Sequence, residues 1–292
     1  MRRGLILLGE RGHRGKGRSR RDPRPVSGSR RPDAHTDRMQ KIPRDEASAF
    51  FDALDAVSPG AATPCAGWTV HELTAHLASG ADGLAAQAEA RLGGEPIPVL
   101  EPWPVRESRF AELAPASLRR VLLAAEERMA AAFAELTSAG LTDPVPELGF
   151  GFPLAELVLH MRQEFAVHRF DLGADDEAGA RLLGQPELTE HSVRMLSEPL
   201  LAGAAEPGSD TPLRAVLHCP DAGDDLVVQI GGGAGRLRWE PPEERGPDEL
   251  TISCTPGDRL LLLWGRSVPG AARLRTTAPA EAVDRLRRRL GF

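Results

Sequence analysis

The chain reads as an α+β protein, a four-helix bundle followed by a smaller mixed domain. Two observations predict this class. Apolar residues recur at helical spacing through four long stretches between residues 44 and 172. After a Gly-, Ala- and Pro-rich stretch at residues 202–212 the texture changes to short apolar runs separated by turns. The length, 292 residues, suggests two domains. We expect a basic leader over residues 1–38, a helical bundle over 39–205 and an α+β domain over 206–292.

The net charge of -6 hides an asymmetry. Residues 1–38 hold 12 Arg or Lys and 4 acids, an excess of 8, so the remainder carries -14. An acidic body argues against nucleic acid as the main partner. The leader is rich in Gly, Ser, Pro and Arg and is nearly free of apolar residues after Leu8. It reads as disordered, it lacks the long apolar region of a signal peptide, and Met39 is the preferred start. No apolar run approaches the length of about 18 residues that a membrane span needs. Cys65, Cys219 and Cys254 are too few and too scattered for a disulfide framework. The expected setting is therefore a reducing cytoplasm.

The first helix is expected over residues 44–57, where Ser58-Pro59-Gly60 stops it. The second opens on a capping box, Thr69 with Glu72. It carries the stripe Val70, Leu73, Leu77, Leu84 and Leu92 as far as Gly93-Gly94. Residues 95–105 read as a Pro-rich linker. A third helix is expected over residues 115–136, with Pro at its first turn. A fourth is expected over 153–172, and a fifth helical stretch over 186–201. Residues 213–219, 225–230, 236–239 and 250–254 read as strands. Residues 256–264 and 279–290 read as helices. The Gly231-Gly232-Gly233 run lacks the Lys-Ser/Thr of a phosphate loop and reads as a hairpin turn.

The chemistry concentrates on the fourth helix. Leu157, Met161, Glu164 and His168 recur at steps of 4, 3 and 4, so two polar residues occupy positions that the pattern assigns to core. A carboxylate on a buried stripe is costly unless it is paired or bound to metal. Glu164 and His168 share one helix face, and His76 lies on the second helix. Two imidazoles and one carboxylate with open positions are the ligand set of a catalytic zinc, and they also suit iron or nickel. Facing helices of a bundle are a common setting for such a site.

Other residues carry paired readings. Asp171, three residues after His168, is either an acceptor that orients the imidazole or an acid on the surface at the helix end. Arg169 and Arg266 are either anion clamps for substrate carboxylates or solvated arginines. His160 reads as a structural histidine before a fourth ligand, and His71 as exposed. Cys65 reads as a small buried hydrophobe before a ligand. Trp68 reads as packing at the start of the second helix.

The segments TPCAGWTVHELTAHL, EFAVHRFDL and LLLLWGR resemble the mycothiol-dependent maleylpyruvate isomerase family. The resemblance covers about residues 42–292. It implies a DinB-like metal-binding bundle and a second domain shaped like sterol carrier proteins. It also implies zinc held by His76, Glu164 and His168, and mycothiol as thiol co-substrate. Phe170 stands where the familiar motif carries Trp. The expected enzyme is a metal-dependent, thiol-using isomerase or S-transferase acting on a small electrophile such as maleylpyruvate. It is expected as a monomer or homodimer, with neither membrane nor nucleic acid as partner. Two alternatives stay open: a metal-dependent hydrolase using metal-activated water, and a non-enzymatic module that binds a lipid or small molecule.

Overall fold

The computed structural model describes residues 44–65, 67–145, 151–196, 213–220, 222–231, 234–244, 250–268, 273–276 and 280–290. The leader at 1–38 and the expected boundary at 205–206 lie outside these residues.

Helix α1 (Asp45–Asp55) buries Ala47, Phe50, Phe51 and Leu54, the face that the 3.6-residue period puts together. That face packs on α5 (Leu154–Asp171). Glu46, also buried on α1, accepts from Arg162 Nη2 at 2.8 Å and from Gln185 Nε2 at 2.7 Å. A buried acid is tolerated there because both a charge and an amide pair with it.

Helix α2 (Val70–Gly93) starts on the expected capping box. Thr69 N donates to Glu72 Oε2 at 2.8 Å, and Glu72 N donates to Thr69 Oγ1 at 3.3 Å. Such a cap contributes about 1 kcal/mol. The helix stops at Gly94, whose φ of 67° is left-handed, a conformation that glycine adopts at no steric cost. Its long partner is α4 (Pro115–Ser138), which buries Leu118, Leu122, Met129 and Phe133.

Between them the structure departs from the sequence reading. Helix α3 (Trp103–Ala111) turns part of the expected linker into a helix laid on α2. Pro104 sits in its first turn, where its missing N–H is harmless. None of its residues is fully buried, so no apolar stripe announces it. Helix α6 (Glu177–Leu183), a second unexpected element, is capped by Asp176, which accepts from Gly179 N at 2.7 Å. Helix α7 (Pro186–Leu196) follows, and residues 197–201 of the expected stretch lie outside the described residues.

The remaining chain forms β1 (Leu213–His218), β2 (Asp225–Gly231), β3 (Ala234–Glu240), β4 (Leu250–Ser253), α8 (Pro256–Leu263), β5 (Arg275–Thr276) and α9 (Ala280–Leu290). The strand order is β3-β2-β1-β4-β5. Among the described residues only β1 and β4 pair in parallel. β2 and β3 pair out to Gly231 and Ala234, which puts the glycine run at a hairpin end, with residues 232–233 outside the described set.

Two apolar cores result. The first joins α1, α2, α4 and the inner face of α5. The second joins β1, β2, β4, α8 and α9 to α6, α7 and three α5 residues, Ala166, Val167 and Phe170. Each fully buried Leu or Phe contributes roughly 1.5–3 kcal/mol. The architecture is α+β, a helical bundle joined to a small mixed sheet. No helix among the described residues is long and apolar enough to cross a membrane.

Candidate metal centre

Helices α2 and α5 bring three side chains to one point. His76 comes from α2; Glu164 and His168 come from α5, one turn apart. His76 Nε2 lies 3.2 Å from Glu164 Oε2, and His168 Nε2 lies 3.4 Å from the same oxygen. The imidazole rings are 5.3 Å apart at 74°. One ligand atom of each residue lies within 4.8 Å of the others.

Both outer ring nitrogens have carboxylate partners. His76 Nδ1 donates to Glu107 Oε1 at 2.7 Å, and His168 Nδ1 donates to Asp171 Oδ2 at 2.9 Å. With the proton held at Nδ1, each Nε2 presents its lone pair to the centre. The donor chemistry therefore fits a divalent cation: two neutral imidazole nitrogens, one carboxylate oxygen, and a backing carboxylate behind each imidazole.

The electrostatics follow from burial against pairing. Burial disfavours charge on His168, but bonds to Asp171, Cys65 and Glu164 outweigh it and raise its pKa well above 6.5. Burial also opposes charge on His76, and Glu107 and Glu164 overcome it, so its pKa is raised too. The Glu164 carboxyl is pushed up by burial, yet both imidazoles hold it well below the usual carboxylate range. Asp171 is likewise held far below that range, against burial, by His168 and Arg266. The imidazoles and carboxylates of the site thus favour one another's charged forms.

Asp171 is a hub rather than a surface acid. Its side chain is 0% exposed. It accepts from Arg266 Nε at 3.2 Å and from Arg266 Nη2 at 2.7 Å. Cys65 Sγ lies 3.0 Å from its Oδ2. Arg266 also donates to Trp264 O at 2.8 Å and to Cys65 Sγ at 3.0 Å. Trp264 Nε1 in turn donates to Ser192 Oγ at 3.0 Å, which ties the end of α8 to α7. Arg266 therefore reaches the centre from the second half of the chain and braces Asp171. Cys65, His168 and Asp171 form a second group with ligand spacing, but the guanidinium already supplies the positive charge there.

Arg169 corrects the sequence reading. Its guanidinium donates to Asp176 Oδ1 and Oδ2 at 2.9 and 2.8 Å, to Ala174 O at 2.9 Å and to Ala49 O at 3.2 Å. The next residue on a helix lies about 100° around the axis. Arg169 therefore leaves the face that carries His168 and locks α5 to α1 and the α6 cap. His160 is not among the residues whose ligand atoms converge; its Nδ1 lies 3.5 Å from His191 Nε2. His71 is half-buried, its Nε2 bonded to Ala111 O at 2.9 Å.

Two neighbours escaped the sequence reading. Glu107 and Trp103 lie on α3, and Trp103 stacks on His76 with ring centroids 5.0 Å apart. Trp68 does more than pack at the helix start, lying 5.0 Å from His76 and 6.4 Å from His168. The two indoles form apolar walls beside the imidazoles.

Residues 43–173 match the family model described as the mycothiol maleylpyruvate isomerase N-terminal domain. No curated protein matches the chain. Two crystal structures are similar to it, those of a mycothiol-dependent maleylpyruvate isomerase and of a histidine-to-alanine mutant of that enzyme. Each is 19% identical, with a TM-score of 0.56 over 84% of this chain and 95% of the other. At that identity the likeness establishes a common fold. Residues 43–173, less than half of the chain, thus match the pattern of that N-terminal domain, and the likeness to the solved structures is one of fold.

Proposed function

We propose that the protein is a metal-dependent enzyme that uses a low-molecular-weight thiol, mycothiol, to isomerise or conjugate a small electrophile such as maleylpyruvate. The observation that carries this reading is the convergence of His76 Nε2, Glu164 Oε2 and His168 Nε2, with a carboxylate behind each imidazole. Zinc is the metal we assign to this nitrogen-and-oxygen set, since it accepts tetrahedral sites with an open position. A reducing cytoplasm suits three free cysteines and a thiol co-substrate. We also propose two domains, the helical bundle over residues 39–205 and the α+β domain over residues 206–292.

A divalent metal held by these three residues supplies Lewis acidity that favours the thiolate form of a bound thiol at neutral pH. The protein's own groups do the rest. Glu107 and Asp171 hold both imidazoles in the tautomer that faces the centre. Arg266 keeps Asp171 ionised, and Trp68 and Trp103 limit water beside the rings. For maleylpyruvate the reaction is reversible addition: the thiolate adds to the cis double bond and the electron pair moves onto the conjugated carbonyl as an enolate, the former double bond, now single, rotates, and the enolate expels the thiolate to give the trans isomer. With an alkyl halide the same thiolate forms a C–S bond as the carbon–halogen bond breaks and halide ion leaves; with an epoxide the C–O bond breaks and the alkoxide takes a proton from water, so either product is a lasting conjugate.

The test combines metal analysis with assays in the presence and absence of mycothiol. Purified protein is expected to contain about one zinc or similar ion, and His168→Ala to lose both metal and turnover. Full turnover after rigorous chelation would refute metal dependence. Turnover indifferent to thiol would instead fit a hydrolase. A co-purifying apolar ligand without metal would fit a binding module.

A further inference from the structure

A second sulfur site lies away from the candidate metal centre, in the core of the sheet. Cys219 follows β1 and Cys254 follows β4. The parallel register sets His218 opposite Ser253, and Cys254 N donates to His218 O at 2.9 Å. The next residues along, the two cysteines, therefore remain opposite each other. Their sulfurs are 3.9 Å apart and both are free thiols. Neighbouring strands lie about 4.8 Å apart, inside the range of roughly 4.4–6.8 Å that a disulfide spans between Cα atoms. Closing the bond asks for side-chain rotation and little backbone movement.

The surroundings are unusual for an inert apolar pair. Arg259, on α8, is 3% exposed. Its Nε and Nη1 have no partner among the described residues, and its guanidinium lies 4.8 Å from the Trp239 ring centroid. A buried guanidinium with unmatched N–H groups favours an anion nearby. The Cys254 thiol, hydrogen-bonded to Cys219, together with the field of Arg259, draws the Cys219 pKa down against burial and Asp258. The same pairing pushes the Cys254 thiol up. The pairing thus favours a thiolate on one of the two sulfurs while the other keeps the shared proton.

We infer that Cys219 and Cys254 form a reactive dithiol that a small hydroperoxide closes to a disulfide linking the chain just after β1 to the chain just after β4, with Arg259 as its electrostatic support. The Cys219 thiolate attacks one oxygen of hydrogen peroxide. The O–O bond breaks, hydroxide leaves and takes up the thiol's released proton as water, and Cys219 becomes a sulfenic acid. Cys254 sulfur then attacks Cys219 sulfur. The S–O bond breaks, and the departing hydroxide takes the Cys254 proton and leaves as a second water. Two thiols and one peroxide give one disulfide and two waters. Cys219 is 1% exposed and Cys254 6%, a burial that disfavours attack by bulky disulfides.

The test uses the intact protein, with half-buried Cys65 as an internal reference. Protein is treated with hydrogen peroxide, blocked with an alkylating agent under denaturing conditions, digested without reductant and mapped by mass spectrometry. The expected product is one linked species joining the Cys219 and Cys254 peptides, two hydrogens lighter than the pair and separated by dithiothreitol. Both thiols still open to alkylation after a dose that has oxidised Cys65 would overturn the inference. So would their separate conversion to sulfinic acids. Arg259→Gln is expected to slow linkage several-fold while Cys65 oxidation keeps its rate, and Arg259→Lys to retain most of it. Equal linkage rates in Arg259→Gln and the parent protein would overturn the part given to Arg259.

Discussion

Nδ1 of His76 lies 2.7 Å from Oε1 of Glu107, a bond that crosses 31 positions of sequence and fastens α2 to α3. It makes the short α3 helix part of the candidate metal centre, because Glu107 sets which His76 nitrogen carries the proton. Loss of such a carboxylate behind a ligating histidine typically costs about 10–100-fold in metal affinity. Glu107→Ala is expected to fall in that range, with Glu107→Gln intermediate. Competition against a chromophoric chelator measures it. An unchanged affinity in Glu107→Ala would remove α3 from the site.

Asp171 is fully buried and bonded to both His168 and Arg266. Asp171→Ala would strand a guanidinium and an imidazole, and breaking a buried pair of this kind costs about 3–5 kcal/mol. Adding Arg266→Met to Asp171→Ala should recover part of that loss, since it removes the unmatched charge. Urea unfolding of the two variants makes the comparison. A double variant less stable than Asp171→Ala would contradict this account of the pair.

Metal uptake should release protons. The pKa values of His76 and His168 stand above 6.5 in the cation-free site, and each must shed a proton to offer Nε2. Raised values mean that protons compete with the metal up to and beyond neutral pH, so affinity should climb as pH rises from about 6 to about 8. Calorimetry in two buffers of different protonation enthalpy would count the protons released. Affinity flat across that span would argue against a site closed by protonated imidazoles.

His191 gives a pH effect on folding that is separate from the metal. Burial lowers its pKa to about 4, with help from His160 and against the bond to Glu156. The unfolded chain takes up the proton first, near 6.5, while the folded protein resists until about pH 4. Stability should therefore be full above about pH 6.5 and decline down to about pH 4, with a loss on the order of 3 kcal/mol. Urea midpoints at several pH values would show this slope in the parent protein and a flatter one in His191→Gln. Parallel slopes would place the pH sensitivity elsewhere.

Much of this architecture is legible in the sequence because burial writes a period. α2 carries its capping box and stripe in plain view, and Glu164 stands out as an acid where α5 should be apolar. α3 is illegible for the opposite reason: none of its residues is fully buried, so its pattern is that of a polar linker. Glu107 is hidden with it. α6 has seven residues and β5 two, too short for a period to register. Arg169 misleads because neighbours in sequence are not neighbours around a helix. Asp171 admits two readings until Arg266, 95 positions away, is seen against it.

Helix α5 has no side left for water along its last two turns. Leu157, Met161 and Phe165 feed one core, while Ala166, Val167 and Phe170 feed the other. A fragment ending at residue 173, where the family match stops, would strip α5 of half its packing and take Arg266 from Asp171. Such a truncated piece would keep His76, Glu164 and His168 yet lose the packing that aims the α5 pair, so the geometry of the candidate site depends on the far half of the chain.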